Sequence, residues 1–454
     1  MSRRVVITGA GVISSIGVGA DEFWRHCLEA RSTVAQIPPQ WKNYASFRSQ
    51  LWSPLPDLDT GPFAITRADR LQLDPMAVLA VRAAREALER AGFALAEAPG
   101  NARAFILPEV DATRTGVYLG NGIGGMSSFL HNHAHQLFQR ARATLKAYAE
   151  ESTPAADREM LDGVVALMAH GPRFHPFVAS MYMPNAGSAA VGIKFSITGP
   201  NVNYCVACAA GTVAIGHAYR AVREGQVDVA LTGGCEYLYD EHGHNFRAFD
   251  VASTLVGDCE DPETANRPFD TKRSGFLFSQ GGAAVLVLEE LEHARRRGAP
   301  ILAEIVGYAE TFDAYSMMSM PAGGEQVERM MRLALADAGV GAEEVDYLNA
   351  HGTGTEINDR VEAETIDRVF GRRVLVNTTK SLLGHTIGAS GAIEALVTAL
   401  SLQHGTTHVC KNLENPVREL NFVRKVEAHD LRVGLTQSFA FGGHNAALVL
   451  RRYS

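Results

Sequence analysis

Short apolar runs alternate along the chain with segments whose apolar residues recur at helical spacing. Residues 5–7, 115–120, 202–206, 227–232, 345–350, 374–377 and 446–450 are strand-like, most of them bounded by glycine, aspartate or asparagine. The first leads into a turn at Gly9. After Asp74-Pro75, a helix N-cap followed by a first-turn proline, Met76, Leu79, Ala83, Ala84, Ala87 and Leu88 follow a helical period that Gly92 closes. Helical segments are also expected at 208–223, 359–370 and 388–402. Strand, helix and strand within 202–232 make a βαβ unit with a right-handed crossover, which puts Cys208 at a strand-to-helix turn. The rhythm repeats in the second half, so the fold class is α/β with two similar halves, 1–300 and 301–454, although no residue-by-residue repeat is evident. Residues 131–172 break the pattern. They are polar and alanine-rich, lack glycine until Gly163, and predict an inserted helical excursion on the surface.

A length of 454 residues with 46% hydrophobic content supports a large buried core. The net charge of -8 argues against a nucleic-acid partner. Glycine clusters at Gly120–Gly125, Gly233-Gly234, Gly281-Gly282 and Gly442-Gly443 suggest crowded turns around a site. Six scattered cysteines are no disulfide framework, and Cys205-x-x-Cys208 has no second ligand pair, so no metal is expected. The first nine residues lack the pattern of a signal peptide, and no run of about eighteen apolar residues marks a membrane span, so a cytoplasmic protein is expected.

A lone cysteine is by default a small buried hydrophobe. Cys208 has more than that: a helix N-terminus favours thiolate, its neighbours Ala207, Ala209, Ala210 and Gly211 leave room for a thioester, and the turn's amides can form an oxyanion hole. Two histidines stand in glycine- and hydroxyl-rich frames, His351 in Ala350-His351-Gly352-Thr353-Gly354-Thr355 and His385 in Lys380-Ser381-Leu382-Leu383-Gly384-His385. Lys380 and Glu394 flank the second and can set its tautomer and charge. The group His131, His133, His135 has no such frame and is weak evidence for a metal.

These motifs, with Arg4–Gly9, Gly120-Asn121-Gly122-Ile123-Gly124-Gly125, Arg267-Pro268-Phe269-Asp270 and Phe441-Gly442-Gly443-His444-Asn445, make nearly the whole chain resemble the β-ketoacyl-[acyl-carrier-protein] synthases of fatty-acid and type II polyketide synthesis, and among them the elongating synthase II type. The resemblance implies a thiolase-like fold of two duplicated halves in five αβαβα layers. It also implies a homodimer or a heterodimer with a related subunit. Acyl-carrier protein is the implied partner, and no cofactor is implied beyond its phosphopantetheine. Cys208 would take the acyl chain, while His351 and His385 would promote decarboxylation of a malonyl thioester. Lys380, Glu394 and Asp359 would support them. Cys208 and Phe441 amides would form the oxyanion hole, with Phe441, Gly442 and Gly443 as a gate. Thr353 and Thr355 would hold pantetheine, and Met181, Tyr182 and Phe246 would border an acyl pocket narrower than usual.

The chain departs from the family pattern at Ser274 and Gln280, where acidic residues are usual, at Met318, where a hydroxyl is frequent, and in the length of 131–172. Both histidines and the cysteine are present, which disfavours the alternatives: a non-condensing acyltransferase, or a partner subunit that only binds. The departures favour a specialised polyketide-type pathway.

Overall fold

The computed structural model describes residues 3–58, 65–152, 155–169, 174–257, 259 and 261–454. The principal strands are β1 (Val5–Ser14), β2 (Thr115–Asn121), β3 (Asn201–Cys205), β4 (Val229–Tyr237), β5 (Gly281–Glu290), β6 (Ala303–Phe312), β7 (Tyr347–Asn349), β8 (Leu375–Asn377), β9 (Val433–Phe439) and β10 (His444–Arg451). The principal helices are α1 (Pro75–Arg90), α2 (Met126–Ser152), α3 (Ala155–Ala169), α4 (Ala186–Lys194), α5 (Ala210–Arg223), α6 (His244–Val251), α7 (Glu325–Ala338), α8 (Glu356–Phe370) and α9 (Ser390–His404).

The strands line up as β1-β5-β4-β2-β3 in the first half and β6-β10-β9-β7-β8 in the second. Counted within its own half, each order is first, fifth, fourth, second, third. In both, the first two pairings are antiparallel and the last two parallel. The half-sheets meet where β1 pairs with the start of β6, Val5 opposite Ile305 and Ile7 opposite Ala303. Helices α5 and α9 pack on each other and on strands of both half-sheets, α1 and α4 cover the outer face of one, and α7, with α8 beside it, covers the other. This is a thiolase-like five-layer αβαβα fold.

Such layering explains why the strands are apolar without alternation. On β5, Ala284, Leu286 and Leu288 face the central helices, while Ala283, Val285 and Val287 face α1. On β10, Ala446, Leu448 and Leu450 face inward, and Ala447 and Val449 face α7. A strand buried on both faces has no polar side to show.

Three expectations change. The chain does not turn at Gly9: β1 runs through Gly9 and Gly11 because α1 lies too close for a side chain. A Cβ at Gly9 would meet Ala87 O at 2.2 Å, and one at Gly11 would meet Ala83 O at 2.1 Å. Gly233-Gly234 and Gly281-Gly282 likewise lie inside the paired strands β4 and β5 rather than in turns. The inserted segment is a helical pair, α2 against α3, that begins at Met126, ahead of the expected residue 131. Its residues 153–154 and 170–172 lie outside the described residues. Among the described residues no helix is long and apolar enough to cross a membrane.

Candidate active site

Strand β3 ends at Cys205, and a single 3-10 turn, Ala207–Ala209, carries the chain into α5. Ala207 holds φ +46, a left-handed conformation unfavourable for a residue with a side chain. The second half uses the same device: Ile387 holds φ +49 at the 3-10 turn Ile387–Ala389 before α9. Where the two helices cross, each presents a glycine. A Cβ at Gly211 would lie 2.7 Å from Ala392 N, and one at Gly391 would lie 2.1 Å from Thr212 Oγ1. Residues 207–211 and 387–391 thus occupy matching places, with Gly388 where the first half has Cys208.

His385 Nε2 lies 3.0 Å from Cys208 Sγ. Its Nδ1 faces the Ile387 amide at 3.3 Å and Ser390 Oγ at 3.1 Å. An amide only donates, so Nδ1 accepts and the neutral ring carries its proton on Nε2. His351 reaches the same tautomer by a different route. Lys380 Nζ, 3.1 Å away, donates to Nδ1 and is itself paired with Glu394 Oε1 at 2.5 Å in a buried ion pair. The two imidazoles stand edge to face, centroids 5.5 Å apart.

Burial, then the Lys380 charge, holds both histidines well below the usual imidazole range. They are therefore neutral at physiological pH. Burial also pushes the Cys208 thiol up to about 12, against the opposing pull of Lys380 and of the Phe441 and Cys208 amides. The expected lowering of this thiol is thus reversed. The helix end acts on one side of the sulfur, whereas loss of water acts all round it. The Phe441 and Cys208 amides both act on the thiol, so both stand beside the sulfur.

A cavity of about 640 Å³ opens from this centre, lined among others by Cys208, His351, His385, Thr353, Phe441 and Met318. Thr353 and Thr355 sit on one wall, their hydroxyls 2.9 Å apart. Phe441, Gly442 and Gly443 form the turn between β9 and β10, with φ +88 and +86 at the glycines and the Gly442 amide bonded to Met317 O at 2.9 Å. Asp359 touches neither imidazole: it accepts from the Phe269 amide at 2.6 Å and the Gly354 amide at 3.1 Å, fixing the threonine loop. Met181, Tyr182 and Phe246 do not line the cavity. The first two lie on the short helix Val178–Tyr182, Tyr182 stacking edge-on against Phe129, while Phe246 is buried in an aromatic cluster that also contains Cys208. Ser274 accepts from the Gly257 amide at 3.0 Å and Gln280 from the Leu55 amide at 3.0 Å, so both departures are locally satisfied.

Sequence reasoning missed two buried carboxyls. Glu362 accepts from the amides of His351 at 2.7 Å and Gly352 at 2.8 Å. Glu236 accepts from Gly122 at 2.6 Å and Gly388 at 3.1 Å, tying the glycine loop to the turn before α9. Burial pushes each up to about 7. For Glu362 a signal existed: Asp359 and Glu362 are three apart, on one face of a helix that must be buried.

Residues 2–294 match the family described as beta-ketoacyl synthase, N-terminal domain, and residues 302–414 its C-terminal domain. With this fold, the match makes the protein a ketosynthase, a carbon–carbon condensing enzyme of the acyltransferase class. It is 34% identical to 3-oxoacyl-[acyl-carrier-protein] synthase 2 of Coxiella burnetii, over 99% of both chains. Among solved structures it is similar to the ishigamide ketosynthase/chain length factor (TM-score 0.83, 29% identity, all of both chains). A type II PKS ketosynthase in complex with its acyl-carrier protein, bound to the hexaketide, is also similar (TM-score 0.79, 25% identity, all of both chains). The chain belongs to the β-ketoacyl synthase family.

Proposed function

We propose that Cys208 takes an acyl chain from the phosphopantetheine of an acyl-carrier protein and condenses it with a malonyl thioester on the same kind of carrier. In the transfer step Sγ bonds to the acyl carbon, the carbon–sulfur bond to pantetheine breaks, and the thiol proton ends on the departing sulfur. The new oxyanion is met by the Cys208 and Phe441 amides. In the second step the malonyl carboxylate leaves as carbon dioxide, and its bonding pair becomes an enolate. That carbon attacks the acyl group on Cys208, and the released sulfur regains a proton from water.

The observation that carries this reading is the pair of tautomers. Both imidazoles have Nδ1 occupied and a proton on Nε2, so both present N–H donors from buried rings where an enolate oxygen needs them. One such donor is worth roughly 3–4 kcal/mol. Thr353 and Thr355 hold the pantetheine arm, and Phe441 gates the entrance. Strand β3 ends the sheet order on the side of Cys208, and we assign its edge to a second subunit, an identical copy or a related ketosynthase-like chain.

The acyl chain is of specialised polyketide type. The named functions of the ishigamide and hexaketide neighbours support this, as do the long α2–α3 insertion and Met318 at the cavity mouth. The test is mass spectrometry of the Cys208 peptide after incubation with a panel of acyl-carrier-protein thioesters. Unsaturated or β-keto chains are expected to load faster than saturated ones. Preference for saturated chains would overturn the pathway assignment, and acylation elsewhere, or in Cys208→Ala, would overturn the nucleophile.

A further inference from the structure

We propose that the turn Asp240-Glu241-His242-Gly243-His244 is a binding site for one divalent transition-metal ion of the zinc, cobalt or nickel type, held by Asp240, His242 and His244. One ligand atom of each lies within 4.8 Å of those of the other two. None of the three lines the active-site cavity.

Local geometry prepares the group. Asp240 is buried, and its Oδ1 receives the amides of His242 and His244, each at 3.0 Å, and His244 Nδ1 at 3.2 Å. Its Oδ2 takes a single amide, from Asn245 at 3.0 Å, and so keeps a lone pair. Gly243 holds φ +72, which brings the alternate histidines to one side with ring centroids 5.5 Å apart. No other residue fits there, since a Cβ would come 2.8 Å from the Trp41 ring. The edge-on ring of Tyr44, 4.5 Å away, braces His242.

A second observation points to a ligand. His242 Nδ1 is shielded from water and has no hydrogen-bond partner. A buried ring nitrogen left unpaired is costly unless something occupies its lone pair. Two imidazoles and a carboxylate suit borderline metals better than calcium or magnesium, which prefer all-oxygen sets. Outside the three ligands, Glu241 Oε2 lies 3.4 Å from His131 Nδ1, so α2 borders the same turn.

The turn starts α6, which carries Phe246 and Phe249. Both pack on Phe278, and Phe246 belongs to the buried cluster around Cys208. A bound ion therefore fixes the helix that walls the nucleophile.

Full-length, tag-free protein is titrated with cobalt(II) chloride by absorbance and with zinc chloride by calorimetry. One ion per chain is expected, with visible d–d bands and no thiolate-to-cobalt charge-transfer band. Affinity should fall by at least about 100-fold in His242→Ala/His244→Ala. Zinc should raise the Tm of the native protein but not of the variant. A charge-transfer band, which would place the ion at Cys205 or Cys259, overturns the site. So does unchanged affinity in the double variant, or no binding below millimolar metal. Should the double variant misfold, His244→Gln at the exposed ligand gives the same comparison.

Discussion

At His385 the ring nitrogen facing away from the sulfur has two donors in reach, the long Ile387 amide contact and the Ser390 hydroxyl, which is itself 2.9 Å from Thr386 Oγ1. Removing the hydroxyl leaves Nδ1 held by a 3.3 Å contact alone. The ring then samples the opposite tautomer, which turns a lone pair rather than an N–H toward the cavity. Ser390→Ala is expected to lower the decarboxylation kcat about 3- to 10-fold, less than the roughly 100-fold or more for outright loss of a positioned donor, because the N–H is lost only part of the time. KM and acyl loading should be unchanged, and the nitrogen-15 shifts of His385 should show mixed tautomers. A single-tautomer spectrum with reduced kcat would rule this account out. Lys380 makes a different case. It fixes His351 and also neutralises Glu394, which burial pushes up to about 7. Lys380→Met strands a buried carboxylate, expected to cost about 3–5 kcal/mol. Adding Glu394→Gln should recover a large part of that stability in urea unfolding while leaving condensation impaired. If the double variant unfolds as early as the single one, the pair is not the source of the cost.

The crossing of α5 and α9 makes the same argument with elements. Alanine is the better helix former by about 1 kcal/mol, yet both crossing positions exclude it. At Gly211 the obstacle is backbone, the Ala392 amide 2.7 Å away. At Gly391 the nearest atom is the Thr212 hydroxyl, with the Thr212 amide at 2.8 Å behind it. Either Gly→Ala change is expected to destabilise by about 1–3 kcal/mol through overpacking. Because these helices carry Cys208 and the turn after His385, acyl loading should slow as well. Thr212→Ala should partly relieve Gly391→Ala and do nothing for Gly211→Ala, as denaturant midpoints of the four variants would show. The crossing also shows what was legible beforehand. The apolar runs marked where strands lie, and the framed cysteine and histidines marked the reacting groups. The rhythm of elements showed two similar halves, but no residue-by-residue repeat was visible because residues 207–211 and 387–391 share a left-handed residue and a crossing glycine rather than a residue pattern. Strand lengths were hidden for a related reason: glycines at Gly9, Gly233 and Gly281 that read as turns admit a packed neighbour instead. One of the two Nδ1 partners of His385 is a backbone amide, which no side-chain motif can announce.

At the scale of the molecule, burial decides what the titratable groups do, and it reversed the expected direction at Cys208. The same cause gives the fold a pH dependence that one substitution can isolate. His408 is fully buried, donates Nδ1–H to Val409 O at 2.9 Å, and is pushed down to about 4 by burial. Unfolded, it titrates near 6.5. Below that pH the unfolded chain binds a proton that the native state refuses, so stability falls with falling pH through the window from about 6.5 to 4. His351 and His385 act in the same sense. Glu236 and Glu362, pushed up to about 7, act oppositely: the native state holds their protons after the unfolded chain has lost them, so their contribution is lost as pH rises through 7. The total curve mixes these signs, but a difference between two proteins cancels every group they share. His408→Asn keeps a donor near Val409 O and cannot titrate. Whatever its cost at pH 7, the native protein should lose about 2 kcal/mol relative to it between pH 7 and pH 5, one proton's worth over the part of that interval below about 6.5. Parallel stability curves for the two, from urea unfolding at half-unit pH steps, would mean that His408 accepts its proton in the folded state.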